Sequence, residues 1–436
     1  MTATTLERAL AAGRDTLPGS AASRPSRAAA LAELAAAGLP TTRRENWRYT
    51  DIKPLTEAEL ELVPRAPDAA SIRAAAQALV AHGIADDGPR LVLVDGHLVP
   101  ELGVLDSRTQ GVEVGDIEAY WARPGAKNAG GNFAADHPLA ALNTAYLQSG
   151  AWLRVADGVR VAEPLRLVLV ASGAAHLAPQ ARIVVELGHG AELTIVQHLV
   201  DAADSDGWLN VVTEVGQAAD SRLALYRVQE HGSRRVHTSL LTVELAARAA
   251  ASLAFVDLGG RLVRNDVDVK LREPGAAVEL FGLLLAAEGQ HVDDHTRIDH
   301  LAPDTRSDES FRGLIGRRGR GVFNGKVVVH PGARGIDARQ SNDNLLLSDQ
   351  AEIDTKPELE IYSDDVKCAH GSTVGELDAE HLFYLRSRGV DEAQARDILT
   401  AAFAATVLER IPALGIREPI AAKVAARLRA AAEAGR

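Results

Sequence analysis

The chain has 436 residues, 46% hydrophobic and 24% charged, with 59 acidic against 47 basic side chains and a formal net charge of −12. This excludes a small disulfide-stapled module and a wholly disordered chain, and it argues against non-specific binding to nucleic acid or an anionic membrane. A single cysteine excludes an intrachain disulfide framework and any all-thiolate zinc or iron–sulfur site built by this chain alone, and fits a reducing compartment. With no secretory leader and no apolar run of about 18–20 residues, a cytoplasmic protein is expected.

The first part reads as helical. Residues 26–37 are Ala/Leu-rich and stop at Gly38 and Pro40; residues 71–83 repeat the theme and stop at Gly83. Between them, Arg43 to Ile52 is polar and aromatic with no helical stripe. Residues 91–94, closed by Asp95-Gly96, predict a strand entering a hairpin turn. A further helix is expected over 137–148.

From about residue 151 the pattern changes to short β-branched and aliphatic runs separated by Gly, Asp, Ser and Pro. The runs include 165–170, 182–187, 192–196, 209–214, 222–228, 240–245 and 252–258. Leu193, Leu223 and Leu253 are 30 residues apart, as are Ile195, Leu225 and Phe255, with a weaker copy at Val278 and Leu280. Fixed-period strands predict stacked coils that bury one face against their neighbours. The expected fold is mainly β: a parallel β-helix, or solenoid, flanked by helical N-terminal and C-terminal regions. An ordinary β-sandwich is the alternative. The boundaries read as 1–87 helical, 88–374 strand-rich with the core proper from about 151, and 375–436 helical.

After Gly375, Asp378 is placed to cap one helix and Asp391 a second, with Gln394 in capping-box position. Ile398, Leu399, Phe403 and Val407 recur at helical spacing. Pro412 breaks that helix, and 418–434 predicts a last one. The apolar stripe suits either a cap on the solenoid end or a docking platform for a partner.

Nucleotide chemistry is not visible. Gly321-Val-Phe-Asn-Gly325-Lys326 is one residue short of a phosphate loop and lacks the Ser/Thr that would hold magnesium, so Asn324-Gly325 reads better as a hairpin turn. Gly316 to Gly321 reads as a solvated turn. The densest polar cluster runs from Gln290 to His300. On a strand, His291, Asp293 and His295 share one face and could meet one metal ion if a third element closed the site; a polar face bonding between coils or across an interface is the other reading. Cys368 and His370 are also two apart. An imidazole beside a thiol can favour the thiolate, the form that binds iron or accepts sulfur. One Cys and one His cannot complete four-coordinate iron, so such a site needs ligands from a second chain. The alternative is a small buried Cys and a satisfied strand His.

Asn342-Asp343-Asn344 to Ser348, Ala351 to Ile361, and Val366-Lys367-Cys368-Ala369-His370-Gly371 through Gly389 resemble the SufB/SufD family of iron–sulfur cluster assembly scaffolds. Arg44-Glu45-Asn46-Trp47-Arg48-Tyr49-Thr50 and the stretch from His291 to His300 resemble its SufD branch. The resemblance covers nearly the whole chain. It implies a right-handed parallel β-helix and a non-catalytic scaffold that pairs with SufB through the β-helical cores, while the ABC-type ATPase SufC docks on the C-terminal helices and drives a distortion exposing buried ligands. It places His370, with Cys368 as second participant, at the SufB interface as a ligand to a transient iron–sulfur cluster shared with SufB. His291, Asp293, His295 and His300 become interface candidates, and Ile398, Leu399, Phe403 and Val407 SufC-docking candidates. Flavin binding to the assembled complex and homodimerisation of the isolated chain are left open.

Two other functions are weighed. One is a β-helical polysaccharide lyase or epimerase with Asp293, Asp294 and Asp299 as its acid/base set; four Trp and six Tyr supply few sugar platforms. The other is a stand-alone metal-binding protein using the histidine cluster.

Overall fold

The computed structural model describes residues 4–13, 23–62, 65–84, 88–123, 137–147, 149–412 and 415–434. Its N-terminal part carries helices Thr5–Gly13, Arg24–Ala37, Lys53–Thr56 and Ala69–Ala81. Asp68 starts the last of these by accepting from the N–H groups of Ala70 and Ser71 at 3.0 and 2.8 Å. The helix expected over 137–148 runs Pro138–Tyr146; position 148 lies outside the described residues. Strand Arg90–Val94 turns through Asp95 and Gly96, both at positive φ, onto His97–Leu98, the two-residue geometry that matches strand twist. Arg90–Val94 also pairs in parallel with Leu165–Ala171, so one strand of the long ladder comes from ahead of residue 151.

From Ser149 to Gly375 the chain winds as a parallel β-solenoid of about eight turns. Each strand pairs with the strand two places along, so successive strands alternate between a ten-stranded and a nine-stranded sheet that face each other. Inward side chains stack into one aliphatic column, from Leu91 and Leu167 through Leu193, Leu225 and Leu253 to Val327 and Ile336. Each such side chain, fully buried, is worth about 1.5–3 kcal/mol.

The 30-residue repeat is only partly the true ladder. Leu193 pairs with Leu223, but Leu223 then pairs with Ala251, and it is Leu225 that meets Leu253. The coil has shortened by two residues there. A strand's side chains alternate with period two, so a two-residue slip keeps the same residues inside and is invisible in the hydrophobic pattern.

Asn324-Gly325 is not a hairpin turn; both residues lie within strand Arg320–Val329. Gly325 is required there because a Cβ would run into the Gln340 amide and the Phe323 ring. The loop from Gly316 to Gly319 is a turn, with Arg318 at φ 51°.

Helices Ala379–Ser387, Glu392–Leu408 and Arg417–Ala434 follow. The last two lie on the outer flank of the ten-stranded sheet, where Ala404, Val407, Leu408, Ile411, Ile420 and Val424 bury against Tyr226, Val256, Phe281 and Leu314. Lys423 donates to Glu230 of the solenoid at 2.5 Å and to the His82 carbonyl of the N-terminal region at 3.0 Å, joining the two. Among the described residues no helix is long and apolar enough to cross a membrane.

Candidate functional site

The solenoid ends in an open coil. Among the described residues, strands Glu352–Ile361 and Val366–Gly375 are the outermost members of the two sheets, each paired on one side only. No residue of either strand is buried, and Ile361, Tyr362 and Val374 are exposed apolar side chains. Cys368, His370 and Ser372 are the register partners of Ala338, Gln340 and Asn342. Register partners in a parallel pair share a face, so Cys368 and His370 continue rows that run inside the solenoid and surface at its mouth. Cys368 is half-buried and His370 exposed. Partial burial, and then the Asp337 carboxylate, push the Cys368 thiol up from its ordinary value. The thiolate is therefore not favoured in this chain, contrary to the expectation from the neighbouring imidazole.

Behind the mouth the interior turns from aliphatic to polar. Gln340 donates to Glu309 at 2.6 Å, Asn344 to Asn342 at 2.6 Å, and the Thr355 hydroxyl to Asn342 at 2.7 Å, with Ser372 2.9 Å from Thr355. Burial pushes the Glu309 carboxyl up to about 7. A second interior cluster lies deeper. Arg227 donates to Gln197 at 2.9 Å and to Ser239 at 2.7 Å; Asn265 donates to Asp257 at 3.1 Å and to Asp294 at 2.8 Å. Burial lowers Arg227 to about 10 and raises Asp257 to about 6; Asp294 is also raised, by burial and then by the Asp257 charge. Sequence reasoning missed Glu309, Gln340, Arg227 and Asp257. Their signal was a polar residue at a strand position that the alternation turns inward, and reading it required the register.

The His291–His300 strand does place His291, Asp293 and His295 on one face, but this chain's own N-terminal segment closes that face. The Thr50 hydroxyl lies 3.0 Å from His291 Nε2 and donates to Asp293. Arg264 reaches Asp293 at 2.6 Å, Asp266 at 2.8 Å and the Asn46 carbonyl at 3.0 Å, with its guanidinium 4.5 Å from the Trp47 ring centroid. His295 Nε2 is 3.0 Å from Asp293. Burial opposes the Asp293 charge, but Arg264 and then His295 outweigh it and hold the carboxyl well below the usual range. These three interface candidates thus bond within the chain. His300 corrects the expectation more sharply: it is fully buried, its two ring nitrogens 2.8 and 3.0 Å from the Thr305 and Ser307 hydroxyls, and burial lowers it to about 4. Among the described residues no group of three or more His, Cys, Asp or Glu is placed to hold a metal ion. Nor do Asp293, Asp294 and Asp299 form one acid/base set. Asp294 points into the interior, while Asp299 is paired with Arg297 and His330, each at 2.8 Å.

Comparison with known proteins decides the family. Residues 169–403 match the model described as the SUF system iron–sulfur cluster assembly SufBD core domain. The iron–sulfur cluster assembly protein SufD of Escherichia coli is 30% identical over 406 residues, 91% of either chain. The chain belongs to the SufBD family, on its SufD side. A SufBD family protein of Synechocystis is 27% identical over 86% of this chain and 84% of its own length. A Mycobacterium leprae member is 33% identical over 52% and 59%.

In this SufBD chain the matched core ends inside helix Glu392–Leu408. Of the four apolar positions predicted for docking there, Ile398 is 43% exposed, Leu399 and Phe403 are half-buried, and Val407 is 2% exposed against the solenoid flank. Phe403 is also stacked by the Arg312 guanidinium at 4.5 Å. Val407 is therefore a core residue and is not available to a partner. The adjacent helix Ala379–Ser387 buries nothing and exposes Phe383 and Tyr384.

Proposed function

We propose that this chain is one half of a two-paralogue scaffold, pairing through its open coil with a SufB-type protein, and that His370, with Cys368 beside it, contributes to a nascent iron–sulfur cluster at the seam. The observation that carries this reading is the free strand Val366–Gly375. An unpaired edge is normally guarded by Pro or by charge. Strand Glu352–Ile361 is guarded in this way, by Pro357 and five charged side chains, but Val366–Gly375 has no Pro and only Lys367. A partner strand added there would lie about 4.8 Å away, so its side chains and those of Cys368 and His370 could bind one ion. The scaffold is non-catalytic and works in the cytoplasm; ATP turnover belongs to a SufC-type ATPase docked through the exposed side of the C-terminal helices around Ile398 and Phe383.

Cys368 is the sole thiol and reports on the seam directly. Maleimide labelling of Cys368 should be rapid in the free chain and strongly slowed in the complex co-purified with the SufB-type and SufC-type partners. An unchanged rate would place the seam elsewhere, and protection in the purified chain alone would mean that a second copy occupies the edge. Within that complex, His370→Ala should leave assembly intact and lower the cluster formed in anaerobic reconstitution. A wild-type yield would remove His370 from the site.

A further inference from the structure

The row that surfaces at His370 continues inward. Gln340 is the register partner of His370, and Glu309 is the register partner of Gln340. From interior to mouth the row therefore reads Glu309, Gln340, His370, all on the inner face. Gln340 Nε2 donates to Glu309 Oε2 at 2.6 Å. That bond decides which way the amide lies: its nitrogen is directed inward, and the oxygen is left for another donor. Among the described residues Gln340 Oε1 has no hydrogen-bond partner, although the residue is only 4% exposed. Across the interior, Gly325 keeps open the space that this amide fills. A buried acceptor left unpaired is rare and needs an explanation. The next side chain in its row is an imidazole.

We propose that Gln340 is the positioning residue for His370: its Oε1 accepts a hydrogen bond from the proton-bearing ring nitrogen of His370, and Glu309, by holding the amide nitrogen, keeps that acceptor turned toward the mouth. An imidazole that donates from one nitrogen is fixed in one neutral tautomer and presents a lone pair at the other. Metal-binding histidines are commonly held in this way by a carbonyl or carboxylate behind them. The partner strand supplies what the free chain lacks, a lid that keeps the ring over the row instead of in solvent. The inference deepens, and rests on, the reading of His370 as a cluster ligand.

The test uses the iron-free complex with its SufB-type and SufC-type partners, with only this chain labelled by 15N-histidine. Ring signals of His370 are identified as those lost in His370→Ala. In the wild type they should show a single neutral tautomer. Gln340→Met, close in size but without the acceptor, should give a mixture of tautomers and lower the reconstituted cluster yield about tenfold. Glu309→Gln still offers an oxygen to the Gln340 amide and should match the wild type, whereas Glu309→Leu should behave as Gln340→Met does. Should the methionine variant fail to assemble, Gln340→Asn withdraws the oxygen by one methylene and gives the same readout. Wild-type ring signals in an assembled Gln340→Met or Gln340→Asn complex overturn the proposal. If the ring signals respond but His370→Ala keeps its full cluster yield, the ligand reading falls and the positioning stands.

Discussion

Arg264 and Asp293, on neighbouring coils, meet at 2.6 Å with 2% and 0% of their side chains exposed. The pair is the floor on which Trp47 and Thr50 of the N-terminal segment rest. Two stretches that looked independent in the sequence are thus the two sides of one intramolecular joint.

Removing one partner of that joint strands a buried charge. Arg264→Met is expected to destabilise the chain by about 3–5 kcal/mol, read as a lower urea midpoint. Arg264→Met with Asp293→Asn should recover part of the loss, because the fully buried Asp293 charge is then removed as well; Asp266, which Arg264 also holds, keeps the recovery incomplete. Equal losses in the single and double variants would mean that the ion pair is not the source.

The interior carboxyl Asp257 titrates against folding. Its folded pKa, about 6, lies above the ordinary value of 3.8, so the native state holds the proton more tightly than the unfolded state does. The corresponding stability is fully present below about pH 4 and is lost as pH rises through 6. Asp257→Asn should therefore gain on the wild type as pH rises from 4 to 7. Chemical denaturation at several pH values checks this, and a difference independent of pH would refute it. Asp293 has the opposite sign: its depressed carboxyl contributes stability above the ordinary carboxylate range that is lost as pH falls below it.

Gly325→Ala should cost about 1–3 kcal/mol, because the new methyl group enters the space of the Phe323 ring and the Gln340 amide. Thermal unfolding reads the loss. Unchanged stability would show that the mouth is looser than its packing implies.

On helix Glu392–Leu408 the proposed docking face and the face packed on the solenoid are distinct. Ile398→Asp should leave the melting temperature nearly unchanged and abolish co-purification of the SufC-type ATPase. Val407→Asp places a carboxylate in the solenoid flank and should unfold the helix from it. Retained ATPase binding in a folded Ile398→Asp chain would move the docking site, with the exposed Phe383 and Tyr384 next in line.

The solenoid was legible because burying one face forces a period of two within a strand and a roughly constant coil length, and both survive in the order of residues. Asp378 and Asp391 were legible as helix caps because their bonds are local, to N–H groups two or three residues on. Cys368 and His370 stood out because their side chains lie two apart on one strand. Position 325 was misread because Asn-Gly usually marks a turn; what overrode that preference was parallel pairing of its backbone with strands His291–His300 and Glu352–Ile361 on either side. The stripe through Ile398 and Val407 was seen, but helical periodicity shows only that a face is apolar and not what it faces.

Taken alone, the order of residues determined the repeat, the flanking helices and the family to which the chain belongs. It did not determine register, because a two-residue slip leaves the hydrophobic pattern unchanged. Register is what sets Gln340 between Glu309 and His370, seals His300 inside, and lays Thr50 over His291 and Asp293, 241 and 243 residues away. Those relations are contacts between distant stretches, and they exist only once the backbone hydrogen bonds of the ladder have chosen which coil lies beside which.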